Sequence, residues 1–480
     1  MKKTALLWIL ATLILEAGCM MGPKYKRPTV DVPQEYRAPA PQQAAQTSSL
    51  DDKQQGDKQQ GNQQLGNEQW WQVYQDPVLT QLIHTAIGQN YDVRIAAARV
   101  LEAQAQVGIT RANQLPSASV GADVFSEQNA KVTNLFPAYQ VNGGELNLSV
   151  IWNLDFWGKY RRQTEAARAQ LLATEWGQRA VLSSLVANVA TAYFQLRALD
   201  SQLEISQRTL GSRQQSLTLT QVLESHGSGS GLDVSQAEQL VYTASETIPD
   251  LERQIQQQEN VLSVLLGENP QPVPRGRALT EQPVPESVPA GLPSELLERR
   301  PDIRQAEQIM VAANAQIGVA KASFFPGLSL TGLGGLESNT LQHFISQPSE
   351  TWYGAFNVSQ PVFQGGALRS QLRLARADWQ EAVVSYQQTV QYALEQVSNS
   401  LVASQKNREF REQQELLTNA AQQTDQFSEV LYKNGGASYL QVLTSETNYF
   451  SAELNLVQAQ LNERLALVQL YQALGGGWQQ

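Results

Sequence analysis

Two stretches of this sequence, Tyr160 to about Glu224 and Ala367 to about Tyr432, contain no proline and keep their apolar residues to a narrow stripe. In the first, Leu182, Leu185, Val189, Tyr193, Leu196, Leu199 and Leu203 recur every three to four positions, as one face of a helix requires. The other faces are Gln, Ser, Thr, Asn and charge. At 1.5 Å per residue each helix reaches roughly 100 Å, deeper than any globular core. Such a helix is stable only beside partners, as in a coiled coil.

The pair belongs to a longer repetition at an offset of about 210 residues. GITRANQLPSASV at 108–120 matches GVAKASFFPGLSL at 318–330, and SGLDVSQAE at 230–238 matches SYLQVLTSE at 438–446. Each copy reads helix, strand, loop, strand, very long helix, turn, long helix. The first copy occupies 70–290, with helices expected at about 92–115, 159–225 and 231–267 and strands at about 116–126 and 144–156. The second occupies 291–480, with helices at about 301–324, 366–434 and 437–475 and strands at about 326–336 and 351–363. The two shorter helices of each copy together rise about as far as the long one, which fits a cylinder of aligned helices.

The strand segments alternate. Ala118, Val120, Ala122 and Val124 interleave with Ser117, Ser119, Gly121 and Asp123, and Leu146, Leu148, Val150 and Trp152 with Asn147, Ser149 and Asn153. The second copy sets Leu328 and Leu330 against Ser329 and Thr331, then Trp352, Phe356 and Val358 against Asn357 and Ser359. Each run is about 10 residues, the length of a tilted strand crossing a bilayer. Phe125, Phe156, Trp157, Trp352, Tyr353 and Phe363 stand near the run ends, where interfacial aromatics belong. Four strands make a poor soluble sandwich, and they also cannot close a membrane barrel, which needs about 8. An open sheet edge in lipid is forbidden by its unpaired N–H and C=O groups. The expectation is therefore several chains sharing one barrel, and a homotrimer with 12 strands leaves an open lumen.

The N-terminus reads as an address. Lys2 and Lys3 precede an apolar run from Ala5 to Leu15, too short for a spanning helix and right for a signal peptide over 1–18. Gly18 then precedes Cys19, the only cysteine, which suits lipoprotein processing even though Glu16 stands where an apolar residue is usual. Residues 19–69 form a lipid anchor and extended strap, Pro-rich and then Gln- and Gly-rich, unable to bury a core.

Most chemistry is excluded early. A net charge of -10 gives no footprint for phosphate backbones, so nucleic acid is set aside. One cysteine and three scattered histidines, His84, His226 and His343, offer no metal-ligand spacing and no nucleophile constellation. No cofactor and no enzyme activity are expected. GSGSG at 227–231 lacks the following Lys and the preceding strand of a phosphate loop. It reads instead as a turn between helices, with Gly227, Gly229 and Gly231 in one copy and Gly435 and Gly436 in the other permitting the reversal. Asp233 follows Ser230 at capping-box spacing, as Gln441 follows Ser438. Asp233 is read first as that cap, its acid also suiting the helix dipole.

Several segments resemble the TolC-like outer membrane factor family, in its lipoprotein branch serving resistance-nodulation-division (RND) efflux pumps. They are GPKYKRP at 22–28, WW at 70–71, LDFWGKYRR at 154–162, LLERRPDIRQAE at 296–307 and ALGGGWQ at 473–479. The resemblance implies a homotrimeric duct, mostly α with β: a shared 12-stranded outer-membrane barrel continuous with a long periplasmic α-helical barrel. A periplasmic adaptor (membrane fusion protein) and an inner-membrane RND pump are the implied partners, beside outer membrane lipid. By position the resemblance carries a pore-narrowing role to Tyr432, Lys433, Leu440 and Thr444; many relatives have Asp at the last, and the resemblance gives Asp233 of the first copy the part of pore acid beside its part as cap. Arg299, Arg300 and Asp302 read as anchors of a turn, with Pro301 starting a helix. The expected function is a passive exit duct for drugs and other toxic compounds. Copper or silver export is an alternative, against which stand only four scattered methionines, Met1, Met20, Met21 and Met310. Type I protein secretion is another, and a structural coiled-coil surface protein is the rival from a different class.

Overall fold

The computed structural model describes residues 20–37, 70–128, 140–285, 293–340, 343–345 and 349–476. The helices are α1 (Pro77–Gln89), α2 (Tyr91–Ala112), α3 (Lys159–Ser225), α4 (Gly231–Leu266), α5 (Pro301–Ala322), α6 (Ala367–Lys433) and α7 (Tyr439–Ala473). The strands are β1 (Ser117–Gln128), β2 (Gln140–Leu154), β3 (Gly327–Ser338) and β4 (Glu350–Ser359). The long helices α3 and α6 are 67 residues each. Among the described residues no helix is long and apolar enough to cross a membrane.

The described residues divide into two compact units, one drawn from 20–30, 98–175 and 305–388, the other from 31–97, 176–304 and 389–476. The first holds one antiparallel sheet in the order β1-β2-β3-β4. Its register aligns Val120 with Leu148, Leu148 with Gly334 and Gly334 with Trp352, and sets Leu330 between Trp152 and Phe356. One face is therefore continuously apolar. It stays uncovered: Val124 is 94% exposed and Trp352 85%. The opposite face is polar. There the Ser119 and Ser149 hydroxyls meet at 2.8 Å, and Asp123, Glu145 and Glu337 share one rung.

Two strands stop short of expectation for local reasons. β2 ends at Leu154 because Asp155 turns to cap α3, its Oδ1 accepting from Tyr160 N at 3.0 Å and its Oδ2 from Arg161 N at 2.8 Å. β4 ends at Ser359 because Pro361 follows and has no N–H to give a ladder. Phe156 and Phe363 consequently lie beyond the strands. The helix expected to run to 115 ends at Ala112, ahead of Pro116.

In the same unit the segment after Met20 is clamped. Arg162, 3% exposed, donates from Nε to Met21 O at 3.0 Å and from Nη2 to Pro23 O at 3.3 Å. Arg27 grips Glu307 with two nitrogens, at 2.7 and 2.5 Å. Gly22, at φ +106°, lies so close to Gly318 that a Cβ would come within 2.5 Å of the Gly318 Cα.

The second unit holds the aromatic core. Trp70 and Trp71 are 2% exposed, and Trp70 stacks on Tyr471 at 5.4 Å. The helix α1 precedes the first one expected from the sequence, at about 92. The signal was Asp76-Pro77, a capping acid followed by proline at the first helical position. Asp76 is 1% exposed and accepts from Val78 N at 2.9 Å, Tyr193 Oη at 2.6 Å and Gln282 Nε2 at 3.0 Å. Arg300, 7% exposed, donates to Ala473 O at 2.9 Å, Gln396 Oε1 at 2.8 Å and Asp302 Oδ2 at 2.6 Å. This ties down the turn before Pro301.

Candidate functional site

The turns α3–α4 and α6–α7 lie in the second unit, and their backbones match. At the first, Ser228 N donates to Leu223 O at 2.9 Å and Gly227 N to Glu224 O at 2.9 Å. At the second, Gly436 N donates to Leu431 O at 2.8 Å and Gly435 N to Tyr432 O at 3.0 Å. Both are Schellman motifs, closing the carbonyls that a helix end leaves open. Gly227 and Gly435 share φ +74°, a left-handed conformation that side chains resist. Gly229 is held by space, since a Cβ there would come within 2.9 Å of Glu224 N. Gly231 and Gly436 have ordinary φ and looser surroundings.

The next residues differ. Ser230 caps α4 through Leu232 N at 3.1 Å, and Asp233 returns the bond by accepting from Ser230 N at 3.3 Å. At α7 Gln441 Oε1 accepts from Ser438 N at 3.2 Å, and the Ser438 side chain makes no cap bond. The second turn instead brings two tyrosines together, Tyr432 and Tyr439, at 5.4 Å between ring centroids. Tyr439 is 3% exposed and packs with Ala237 and Val442. Ala237 is one helical turn after Asp233, so this packing brings Asp233 of the first turn near the tyrosines of the second; burial raises the pKa of both phenols, and the Asp233 carboxylate adds to that rise. Lys433 is paired with Glu429 at 2.5 Å. Leu440 is 58% exposed, and Thr444 is exposed with its hydroxyl turned back to Leu440 O at 2.8 Å.

The expected interfacial aromatics divide. Trp352 lies on the apolar face of the sheet, whereas Phe125 and Tyr353 lie on the polar face, with Phe125 over Gly143. Phe156 and Trp157 make an edge contact at 4.9 Å, and Trp157 stacks on Phe325 at 4.8 Å, a partner sequence reading did not name. Phe363 is 89% exposed. Cys19 and the signal segment 1–18 lie outside the described residues. Met20, the next residue, rests against Gly158, and Met21 N donates to Trp157 O at 3.1 Å. The segment thus begins beside that aromatic cluster. Among the described residues no group of His, Cys, Asp and Glu could hold a metal ion.

Comparison with known proteins gives one answer. The model of a family described as outer membrane efflux protein matches residues 82–268 and 292–476, one match per repeat. The chain is 33% identical to the probable efflux pump outer membrane protein TtgC of Pseudomonas putida, over 99% of this chain and 96% of the relative. It is also 33% identical to the cation efflux system protein CusC of Escherichia coli, over 96% of each. Among solved structures, the outer-membrane channel OprN superposes with a TM-score of 0.85 at 29% identity, covering 96% of this chain and all of that one.

Proposed function

The chain belongs to the outer membrane efflux protein family, and from that membership we propose that three copies assemble into the exit duct of an RND-type tripartite efflux system. The family is one of passive channels, and the chain is not an enzyme. The carrying observation is the sheet: an uncovered apolar face on four bilayer-length strands, with β1 and β4 each paired along one side only among the described residues. Lipid forbids such edges, and three copies joined edge to edge give twelve strands with none left open. The apolar face then meets lipid, and the polar face, with its Asp123, Glu145 and Glu337 rung, lines the lumen.

The 67-residue helices continue the duct through the periplasm, and the two turns form its tips. Asp233, Tyr432, Lys433, Leu440 and Thr444 narrow the pore there. A periplasmic adaptor joins the tips to an inner-membrane RND pump, which supplies the energy. Cys19 carries acyl chains, a reading supported by the start of the clamped segment beside Trp157 and Phe325. The protein then sits in the bacterial outer membrane, lipid-anchored. Drugs and other toxic compounds are the cargo, as equal similarity to the antibiotic efflux pump outer membrane protein ArpC of Pseudomonas putida supports. Equal identity to CusC, a cation efflux system protein, supports cation export as a second reading, with copper or silver as the cations to test.

The test is a susceptibility profile of a deletion strain across drugs, detergents, solvents, copper and silver. Hypersensitivity to unrelated amphiphiles is expected. Hypersensitivity to metals alone moves the assignment to metal export. Unchanged susceptibility with a protein missing from the medium moves it to type I secretion.

A further inference from the structure

Behind the two turns, the second unit buries charges that the duct reading does not use. Arg213 of α3 is 2% exposed. It donates from Nη1 to Leu240 O of α4 at 2.9 Å and lies over the Phe450 ring of α7 at 5.0 Å. Its Nε, fully shielded, has no hydrogen-bond partner. Two carboxylates face it. Glu446 of α7 accepts from Ser216 Oγ at 3.1 Å through Oε1, while its shielded Oε2 has no partner. Asp425 of α6 accepts from Ser445 Oγ at 3.2 Å. Neither closes an ion pair with Arg213 among the described residues. A cleft of about 180 Å³ lies among Arg208, Arg213, Asp425, Glu446, Tyr449 and Glu453.

The surrounding charges are already matched. Arg208 of α3 pairs with Glu453 of α7, which also accepts from Tyr449 Oη at 2.8 Å. Glu429 of α6 is held by Lys433 at 2.5 Å. Asp233 of α4 is engaged in its cap, and the Tyr432 and Tyr439 phenols stay protonated. What remains is one guanidinium, which does not titrate, against two carboxylates in a shielded site. That set carries one negative charge too many, and poor solvation makes the excess costly. A single proton brings it to neutrality. It also turns an acceptor-only carboxylate into a donor, which a site with a partnerless oxygen can use.

We propose that the Arg213–Asp425–Glu446 group is a proton-operated fastener between the two helical hairpins, which takes up one proton on acidification and tightens the packing behind both turns. The group draws a residue from α3, α6 and α7 and binds α4 through Leu240, so its state acts on all four helices of the site. Burial is the main cause that holds both carboxyls above the ordinary carboxylate range; Asp425 adds to the rise at Glu446, and Glu429 and Glu453 add to the rise at Asp425. The sign follows. An acid whose pKa is raised by folding favours the folded packing more as pH falls through that raised value. The gain is complete at the ordinary value of about 4. The hairpins are therefore looser at neutral pH and tighter in acid. That this shuts a pore rests on the duct reading; the fastener itself does not.

The test uses the full-length protein in nanodiscs. Hydrogen exchange is followed across residues 213–240 and 425–450 at several values between neutral pH and about 5, corrected for intrinsic rates. Several-fold greater protection of both segments is expected in acid. Glu446→Gln or Asp425→Asn, each near-isosteric, should hold acid-level protection at every pH. Flat protection in the wild type overturns the proposal, as does a full pH response that survives in both variants. Bilayer currents on the same samples separate the two readings. If exchange responds to pH and conductance does not, the fastener stands and the tips are not the gate.

Discussion

The two turns are a comparison already made within one chain. They share a Schellman closure, a glycine at φ +74° and helices of 67 residues leading into each. Many chemistry-bearing positions beside them are filled in one copy only, although Glu446 keeps a counterpart in Glu238 and Ser438 in Ser230. Asp233 stands where the second copy has Gln441, and Tyr439 where the first has Gly231. Arg213 corresponds to Ala421, and Asp425 to Leu217. Duplication preserved the backbone, which any helical reversal needs, and released the side chains to become complementary. The acid of one turn consequently stands near the phenols of the other, and the arginine of one long helix opposes a carboxylate of the other.

The largest expected asymmetry is at Tyr439 and Gly231. Tyr439→Ala empties a buried site between Ala237, Val442 and Tyr432 and should destabilise the second turn by about 3 kcal/mol. Local hydrogen exchange over residues 430–446 reads it. Tyr439→Phe is expected to leave protection intact, because the hydroxyl is buried without a partner. Gly231→Ala, at an ordinary φ with only the flexible Glu224 carboxylate nearby, should be close to neutral. Equal losses at the two positions would break the claim that the aromatic contact belongs to one copy.

Next come the shared glycines. Gly227→Ala and Gly435→Ala place a Cβ at φ +74° with nothing within 4 Å to meet it, so only backbone strain is added. Each should cost about 1 kcal/mol, and the two costs should agree. A large difference would mean that the turns are matched in outline but not in strain. The caps should then differ again. Ser230→Ala loses a real cap and about 1 kcal/mol. Ser438→Ala, whose hydroxyl makes no cap bond, should lose a few tenths.

What sequence could reveal divides along the same line. Alternation exposed the apolar face of the sheet, because period two is a local signal. The long helices were legible from the missing prolines, and the turns from glycine. Strand ends were less so: Asp155 ended β2 by reaching forward to Tyr160 N and Arg161 N, a competition that no hydropathy pattern encodes. The helix at Pro77 is marked by Asp76-Pro77 alone, because its 13 residues are too few for periodicity to stand out. Arg213, Asp425 and Glu446 gave no signal at all. Each is one charge on a long polar helix, and only the packing of four helices makes them neighbours.

The smallest and most discriminating change is Asp233→Asn. Asn keeps an oxygen able to accept from Ser230 N, so the cap survives and the turn should stay folded. What disappears is a charge that the tyrosines of the other copy sense. If three such acids surround a pore, their removal lowers local cation concentration, most clearly at low salt. The reversal potential of bilayer currents under a salt gradient should then move toward lower cation preference, roughly twofold in permeability ratio. An unmoved reversal potential with intact hydrogen-exchange protection of α4 would assign Asp233 to the cap alone. The chemical difference between the copies would then serve packing rather than permeation, and the acids on the sheet's polar face would become the place to look for selectivity.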